Sequence, residues 1–588
     1  MEASEVPASE LFADKVQLRI PIWQRTYAWG RPQWLELWDD ISRAARGTAH
    51  FVGSVVVLEE SGRRGAARRA DRLTVVDGQQ RAATLTVLIA AIRDRMVAAT
   101  QVESDARDLF DQVTLDLLKN DRVDPEYAHK LVLQDADDEL LASIVNGVEP
   151  KPGNLRDAYE FFQHELSGVS VSMCETLLET IQSKLEIVFI TLDPKDNVHR
   201  IFQTLNAGGK PLKQSDLVRN YFFLLLAGPE GEKFYRDYWS PMESLLESVG
   251  LERFFAAWMQ ANGQSGSIGS LFHQFQQDLK ILGDETQKVL EYGKSLARAS
   301  SIFFWMFEPS GCPSKQLQAS LADFKIWDTR AAEGLLLQIL LKSENGDLTS
   351  EQASASVELV LSFFARRQLA GYEPNLHKSI TRQYAHELYA SGSVGDDYVL
   401  ELNGHLSRGP ALRRFPRDEE ILRVGTSRPL YSRARANWTF LILDRINRAR
   451  YPKKKMATPM DRSTNSIEHV MPQNLSPEWR EDLEKWGIKD ITATHDEFLH
   501  TIGNLTITPV NSELSDDRYE VKRPLLVGQE IPLNREFDAE SIWRPQEIRQ
   551  RSESLIADVL RVFARPLDVA EATESEDLYE ELEDEDDE

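Results

Sequence analysis

The sequence predicts a multidomain α+β protein, and three observations lead to this fold class. The chain has 588 residues, and because a domain usually holds about 100 to 200 residues, about three or four units are expected. Strand-like runs of β-branched residues alternate with helical patterns in the first part of the chain. Long helical windows fill the middle, and two short β-like runs return in the last quarter.

The first part is organised around the stretch LTVVDGQQRAATLTVLIAAIRDRM, Leu73 to Met96. A short β-branched run stops at Asp77-Gly78, where the glycine permits a sharp turn. Apolar residues then recur at helical spacing, which predicts an amphipathic helix with a stripe that faces the core. This stripe consists of Leu85, Leu88, Ile89 and Ile92.

Polar side chains crowd the junction between this strand and this helix. Backbone N–H groups at a helix start attract anions, and Gln79, Gln80 and Arg81 add side-chain donors, which favours a bound phosphate. Asp77 is compatible with an N-cap, a holder of arginine or sugar hydroxyls, or a magnesium ligand. A capped turn without any ligand is the alternative for this stretch taken alone.

Three other segments carry polar groups that simple packing does not require. In IPIWQRTYAW, Ile20 to Trp29, the donor pair Gln24-Arg25 lies between aromatic residues. HFVGSVVVL, which starts at His50, predicts a strand with a glycine where another backbone can approach closely. In the third segment, Ile201 to Phe223, a helical start is interrupted by the sequence NAGG, which begins at Asn206.

Together these four segments resemble the ParB-like nucleotide-binding domain of GmrSD-type, modification-dependent restriction systems, over roughly the first 230 residues. The shared pattern is IPxxQRxYxW, a strand with glycine, DGQQR, and FxxLNxxGxxLxxxDLxxN. The resemblance implies a mixed α/β domain that binds and hydrolyses GTP or another nucleoside triphosphate. It implies the nucleotide-site residues Gln24, Arg25, Asp77, Gly78, Gln79, Gln80 and Arg81, with Asn206 as a neighbour. No GxxxxGK[ST] loop is present, so an ordinary P-loop is not the basis of this activity.

A second candidate site lies in NSIEHVMPQ and, some thirty residues later, GNLTITPVNSELS. Glu468-His469 closes one β-like run, and Asn504 and Asn511 flank another. Phosphodiester hydrolysis needs a base for water, a hard cation, and a group that holds the base in its proper tautomer. Histidine, carboxylate and asparagine side chains supply these functions, and oxygen ligands suit Mg²⁺ or Mn²⁺. Alone, Asn504 is typical of a turn and Asn511 of a helix cap.

The second pattern resembles the His-Asn-His (HNH, ββα-metal) nuclease domain of GmrSD-type and SspE-type proteins. The resemblance implies that His469 is the general base and that Asn504 orients the loop that holds it. It makes Glu468 and Asn511 metal-ligand candidates, although many members of the wider class have histidine where Asn511 stands. The Lys522-Arg523 pair would then steady the scissile phosphate. Two rival histidines, His495 and His500, are interpreted as loop or packing residues.

Charge and cysteine content restrict the class of protein further. The formal net charge is −26, and residues 566–588 hold thirteen acidic and no basic residues, which is typical of a disordered tail. The Arg-rich stretch from Ser61 to Arg72 is either a DNA contact or an exposed loop. Only two cysteines are present and the first residues are acidic, so a cytoplasmic protein without disulfides, signal peptide or membrane span is expected.

The predicted organisation has four parts: a ParB-like nucleotide-binding domain at 1–230, a mostly helical domain at 231–440, an HNH nuclease domain at 441–565, and an acidic tail at 566–588. Aromatic stripes in the helical domain favour core packing over a pocket for a modified base. The leading hypothesis is a bacterial antiphage endonuclease that acts on double-stranded, modified or phage DNA. Whether it forms a homo-oligomer is left open by the sequence. The sensed mark is left open among glucosylated bases, methylated bases and phosphorothioate linkages. The alternatives are a regulatory nucleotide-binding protein with a vestigial nuclease domain, and an RNA-directed or toxin-like nuclease.

Overall fold

A computed structural model describes residues 2–13, 15–47, 49–59, 68–192, 213–226, 228–283, 285–372, 375–452 and 458–566. Several predictions from the sequence concern residues outside these ranges. They include Asn206, most of the Arg-rich stretch after Ser61, and all but the first residue of the acidic tail.

The chain divides into two compact units. The first comprises Met1–Ser240 with Phe275–Leu290, and the second comprises Pro241–Gln274 with Glu291–Glu588. Helices and strands occur in both, so the prediction of a mixed α+β protein is confirmed. The three boundaries between the four parts proposed from the sequence stay predictions.

A six-stranded sheet forms the centre of the first unit, in the order β1-β6-β3-β4-β2-β5. The strands are β1 (Glu2–Pro7), β2 (Val16–Arg19), β3 (His50–Glu59), β4 (Asp71–Asp77), β5 (Leu131–Val132) and β6 (Leu185–Leu192). β3 pairs antiparallel with β4 and parallel with β6, so the sheet is mixed. The high apolar content of β6 is typical of a strand inside a sheet, and β6 lies between β1 and β3.

Helices cover this sheet, and the helix Gln79–Ala99 lies at the centre of the helical layer. The α-helices up to residue 240 are Arg31–Arg46, Gln79–Ala99, Glu103–Val113, Asp135–Val145, Asn154–Glu165, Val171–Ser183, Gln214–Leu225 and Pro229–Phe234. The predicted amphipathic stripe was too narrow, because the helix Gln79–Ala99 is buried on nearly every face from Gln80 to Arg93. Neighbouring helices pack around it, including Asn154–Glu165 and Val171–Ser183.

Helices dominate the chain from residue 240 onward. They are Ser240–Leu245, Leu251–Ala261, Leu271–Ile281, Thr286–Phe304, Lys315–Trp327, Glu333–Asn345, Ser350–Ala370, Asn375–Ser391, Gly395–Ser407, Asp418–Gly425, Ala436–Ala449, Pro477–Lys485, Ile491–Phe498, Asn511–Leu514, Tyr519–Val527, Glu536–Ala539 and Pro545–Val562. Phe254 and Phe303 are fully buried with ring centroids 5.5 Å apart, which confirms core packing for these aromatic residues. Among the described residues, no helix combines the length and apolar character that a bilayer crossing requires.

A short antiparallel pair of strands is inserted among the last helices of the second unit. β7 (Ser466–His469) pairs with β8 (Leu505–Thr508), and His469 lies opposite Leu505. The short helix Asn511–Leu514 follows β8 after two residues. The hairpin with its helix therefore brings the two sequence segments of the second candidate site together.

Candidate active site

The DGQQR segment forms a tight turn between β4 and the helix Gln79–Ala99. Gly78 caps this helix with φ +92°. A Cβ atom on Gly78 would lie 2.8 Å from Val55 Cγ2 and 2.9 Å from the Ser54 carbonyl oxygen. Only glycine therefore allows the turn to approach β3 this closely. The strand, turn and helix predicted for this stretch are confirmed.

Arg81 extends from the first turn of the helix back to β3. Its Nη1 donates a 2.7 Å hydrogen bond to the Ser54 carbonyl oxygen. A Cβ atom on Gly53, where φ is +112°, would lie 2.5 Å from Arg81 Nη2. Burial raises the pKa of Asp77, and the charges of Arg81 and Arg25 partly oppose this shift. Asp77, Arg25 and Arg81 therefore form one charged group at the turn.

The upstream QR segment is fixed to the same turn. Gln24 Nε2 donates to the Val76 carbonyl oxygen at 3.2 Å, and Gln24 Oε1 accepts from Gln79 Nε2 at 3.3 Å. The structure thus brings together two of the motifs that the resemblance linked.

Gln80 differs from its neighbours because its side-chain amide is hydrogen-bonded to the protein backbone. Its Oε1 accepts from the Ala28 and Trp29 N–H groups at 2.7 and 3.2 Å, and its Nε2 donates to the Thr26 carbonyl oxygen at 3.2 Å. Gln80 is buried. In this geometry Gln80 holds the upstream segment in place, and it does not direct a free donor to a phosphate.

Arg25, Gln79 and Gln80 line a small polar recess. Gln134 and Asp137 also line this recess, and neither was predicted from the sequence. Asp137 accepts a 2.6 Å hydrogen bond from the Tyr27 N–H, so it too positions the upstream segment. The stretch QDADDE around it is typical of an ordinary acidic helix start, and no motif distinguishes Asp137.

Asn504 anchors the loop that follows His469 in the second candidate site. Its side chain is fully buried. Oδ1 accepts from the Met471 N–H at 2.7 Å, and Nδ2 donates to the carbonyl oxygens of Met471 and Leu499 at 2.9 Å. Trp543 Nε1 donates to the same Oδ1 at 3.1 Å. This geometry fits the orienting role that the resemblance implies for Asn504.

The His469 ring is buried among polar and aromatic neighbours. Its Nε2 lies 3.0 Å from His500 Nδ1, and its Nδ1 lies 3.4 Å from Gln473 Nε2. The Tyr431 ring contacts it edge-to-face with centroids 4.7 Å apart. Burial lowers the pKa of His469 to about 3, so the ring is neutral at neutral pH and retains one lone pair.

The two rival histidines differ in their contacts. His495 Nε2 lies 2.8 Å from the Pro472 carbonyl oxygen, which agrees with a packing role. His500 contacts the His469 ring directly. The interpretation of His500 as a loop or packing residue was therefore incomplete. The preceding residues, THDEFL, carry no motif that would have indicated this contact.

Glu468 and Lys522 form a buried ion pair, with 2.6 Å between Oε1 and Nζ. Lys522 Nζ also donates to the His469 carbonyl oxygen at 3.2 Å. Burial raises the pKa of Glu468 and lowers that of Lys522, and each partner opposes the shift of the other. The expectation that Lys522 steadies the phosphate is wrong in this structure, because the Lys522 ammonium group is paired with the buried Glu468 carboxylate. Arg523 is also engaged elsewhere, since its Nε donates to the Phe537 carbonyl oxygen at 2.9 Å.

The predicted metal ligands offer few protein donors. Asn511 begins a short helix, and its Nδ2 donates to the Ile467 carbonyl oxygen at 3.2 Å. Within the described part of the chain, no group of three or more His, Cys, Asp or Glu side chains is arranged to hold a metal ion. One carboxylate and one amide oxygen still fit Mg²⁺, which is often bound by one or two carboxylates together with waters and substrate phosphates.

Replacing Lys522 by methionine is expected to destabilise the second unit by about 3 to 5 kcal/mol, because Glu468 would keep a buried carboxylate without its cation. The double variant Glu468→Gln, Lys522→Met should recover part of this loss. Urea unfolding monitored by tryptophan fluorescence measures the free energy of unfolding of the single and the double variant. If Lys522→Met unfolds at the same urea midpoint as the wild type, the stabilising role of the buried Glu468–Lys522 pair is contradicted.

Each of the two candidate sites lies in a segment that matches a known family model. Residues 8–223 match the model described as GmrSD restriction endonuclease, N-terminal domain. Residues 415–558 match the model described as GmrSD restriction endonucleases, C-terminal domain. No curated protein matches the chain. The two family models together cover more than half of the 588 residues, which confirms the resemblance to GmrSD-type restriction systems. Membership of this family implies a nuclease with DNA as its substrate. The chain belongs to the GmrSD restriction endonuclease family.

Proposed function

We propose that this restriction endonuclease binds and hydrolyses GTP or another nucleoside triphosphate and cuts or nicks modified phage DNA with the help of Mg²⁺ or Mn²⁺. The observation that carries the nuclease half is His469. Its neutral imidazole lies at the end of β7, next to a loop that Asn504 holds through two hydrogen bonds to the Met471 backbone. Hydrogen bonds with Leu499 and Trp543 keep Asn504 itself in place. An unprotonated imidazole in a fixed position has a lone pair that can accept a proton from water.

In the proposed reaction, His469 takes a proton from a water molecule while the water oxygen attacks the phosphorus atom. A new P–O bond forms, one ester P–O bond breaks, and the departing oxygen receives a proton from solvent. Glu468 and Asn511 would hold the metal ion, which when bound would offset negative charge on the phosphate. Asn504 keeps the loop after His469 fixed throughout the reaction.

The nucleotide half is supported by the charged group and the recess in the first unit. Arg25 and Gln79 line the recess, and the Arg81 guanidinium retains donors beyond the one bonded to Ser54. The start of the helix Gln79–Ala99 adds backbone N–H groups that favour phosphate. The assignments of Asp77 and Gly78 to the nucleotide site stay proposals, and the proposed part of Gln80 is to hold the upstream segment beside the turn. Asn206 lies outside the described residues.

A cleavage panel tests this function. Differently modified phage DNAs and unmodified plasmid are incubated with purified protein, with and without GTP and with Mg²⁺ or EDTA. Cleavage that needs metal, prefers one modified DNA and changes with GTP supports the proposal. Equal cleavage of all DNAs would remove the response to modification.

The buried Glu468–Lys522 pair favours one alternative, a regulatory nucleotide-binding protein whose nuclease domain is vestigial. Lys522 already neutralises the carboxylate that a metal would use. GTP hydrolysis without cleavage of any DNA in the panel, at any Mg²⁺ or Mn²⁺ concentration, would support this alternative.

Replacing Asn511 by alanine is expected to raise the Mg²⁺ concentration needed for half-maximal cleavage by about tenfold, since an oxygen donor is lost while His469 remains. A Mg²⁺ titration of the cleavage rate measures this effect. Unfolding of the variant, detected by circular dichroism, would identify Asn511 as a helix cap instead. An unchanged titration would exclude it as a ligand.

A further inference from the structure

His469 needs a defined tautomer if it is to act on water, because a neutral imidazole has only one lone pair. Asn504 fixes the backbone of the loop after His469, but none of its hydrogen bonds reaches the His469 ring. No other group that would fix the ring is evident from the sequence. In the structure, the two groups that meet its nitrogens are Gln473 and His500.

The contacts on the two ring nitrogens are unequal. The 3.0 Å separation between His469 Nε2 and His500 Nδ1 is a good hydrogen-bond distance, and it requires one N–H group and one lone pair. The Gln473 amide nitrogen, a donor, lies 3.4 Å from His469 Nδ1. A donor at Nδ1 leaves the His469 proton on Nε2, where His500 accepts it. The bond to Gln473 is long and weak, so a water molecule can replace it.

The scaffold holds His500 in place on several sides. Its carbonyl oxygen accepts a 2.7 Å hydrogen bond from the Leu430 N–H. Asn504 Nδ2 bonds the carbonyl oxygen of the preceding residue, Leu499. The Tyr431 ring lies against both imidazoles, with centroids 4.7 Å from His469 and 5.6 Å from His500. His500 thus presents Nδ1 to its partner from a fixed position.

We propose that His500 is a positioning residue of the hydrolytic centre. Its Nδ1 accepts the N–H of His469 Nε2 and so directs the Nδ1 lone pair of His469 to the attacking water. This inference rests on the proposed role of His469 as the base. It gives His500, which lies 31 positions after His469 in the chain, the role of fixing the tautomer of His469.

Three variants of the full chain separate this role from general packing. The Asn Oδ1 lies where the histidine Nδ1 lies, so His500→Asn keeps an acceptor for His469. In His500→Gln the side-chain amide lies one bond further from the backbone, and His500→Ala has no acceptor for His469. We expect His500→Ala and His500→Gln to lower kcat by about 10- to 100-fold with KM nearly unchanged. We expect His500→Asn to stay within about threefold of wild type. The exposed His164 provides a control as His164→Ala, which should cleave normally.

Equal loss in His500→Asn and His500→Ala would overturn the positioning role, and so would normal kcat in all three variants. A second measurement does not depend on cleavage. Imidazole ¹⁵N spectra of the full chain should show His469 protonated at Nε2 in the wild type and a mixture of tautomers in His500→Ala. A wild-type ring protonated at Nδ1 would overturn the inference. If the spectra are as expected but His469→Ala cleaves DNA fully, His500 still fixes the tautomer of His469. In that case only the role of His469 as the general base would be rejected.

Discussion

Replacing His469 by alanine is expected to lower the rate of DNA cleavage by about 10² or more, because the reaction loses its general base. DNA binding and nucleotide hydrolysis should persist, since neither depends on this ring in the proposed function. Single-turnover cleavage of the preferred DNA measures the loss, and a gel-shift assay measures binding. The effect should be among the largest of any single substitution in the second unit.

The matched control is His164→Ala, which removes an exposed histidine from the helix Asn154–Glu165. Circular dichroism and the unfolding midpoint establish that His469→Ala is folded. A folded His469→Ala protein that cleaves at the wild-type rate would exclude His469 as the base. Loss of cleavage together with loss of DNA binding would point to a role in substrate binding.

Replacing Arg81 by alanine is expected to lower nucleoside triphosphate hydrolysis by about 10² or more, because a fixed cation that stabilises charge on the phosphate would be lost. Arg81→Lys should restore little, since an ammonium group does not reproduce the planar fork of a guanidinium. Phosphate release from GTP measures the change. Arg43→Ala, at an exposed position on the helix Arg31–Arg46, is the control.

Gly53→Ala tests the same site without changing Arg81 itself. The added Cβ atom would lie 2.5 Å from Arg81 Nη2, and the backbone at Gly53 has φ +112°. We expect the guanidinium to be displaced and hydrolysis to fall, though by less than in Arg81→Ala. Normal hydrolysis in Arg81→Ala would remove the nucleotide-site assignment. Normal hydrolysis in Gly53→Ala alone would show that the contact with β3 is not needed.

The same Arg81→Ala protein reports on coupling between the two activities. A nucleotide can influence cleavage only if it binds the cleaving and non-cleaving states with different affinity. We expect Arg81→Ala to alter defence against phage in cells while metal-dependent nicking of plasmid persists. Lost hydrolysis with unaltered cleavage and normal defence would show that the two activities are independent.

The sequence by itself determined the secondary structure around both sites. The strand, turn and helix at DGQQR follow from β-branched residues, a glycine that permits φ +92°, and helical spacing, all within about twenty residues. The interior position of β6 follows from its continuous apolar run. Both halves of the family match were also readable, because short motifs such as DGQQR and EHxxPQ are contiguous in the chain.

Only the tertiary structure decided which side chains meet. Lys522 pairs with Glu468 across 54 positions, His500 meets His469 across 31, and Gln80 bonds Ala28 across 52. Local patterns fix strands, turns and helices, because those depend on neighbouring residues. The pairing of buried polar groups depends on how the finished elements pack, since each buried donor and each buried charge must find its partner at that stage. For this reason Lys522 was assigned to the phosphate and His500 to packing from the sequence, whereas folding places both beside the Glu468-His469 pair.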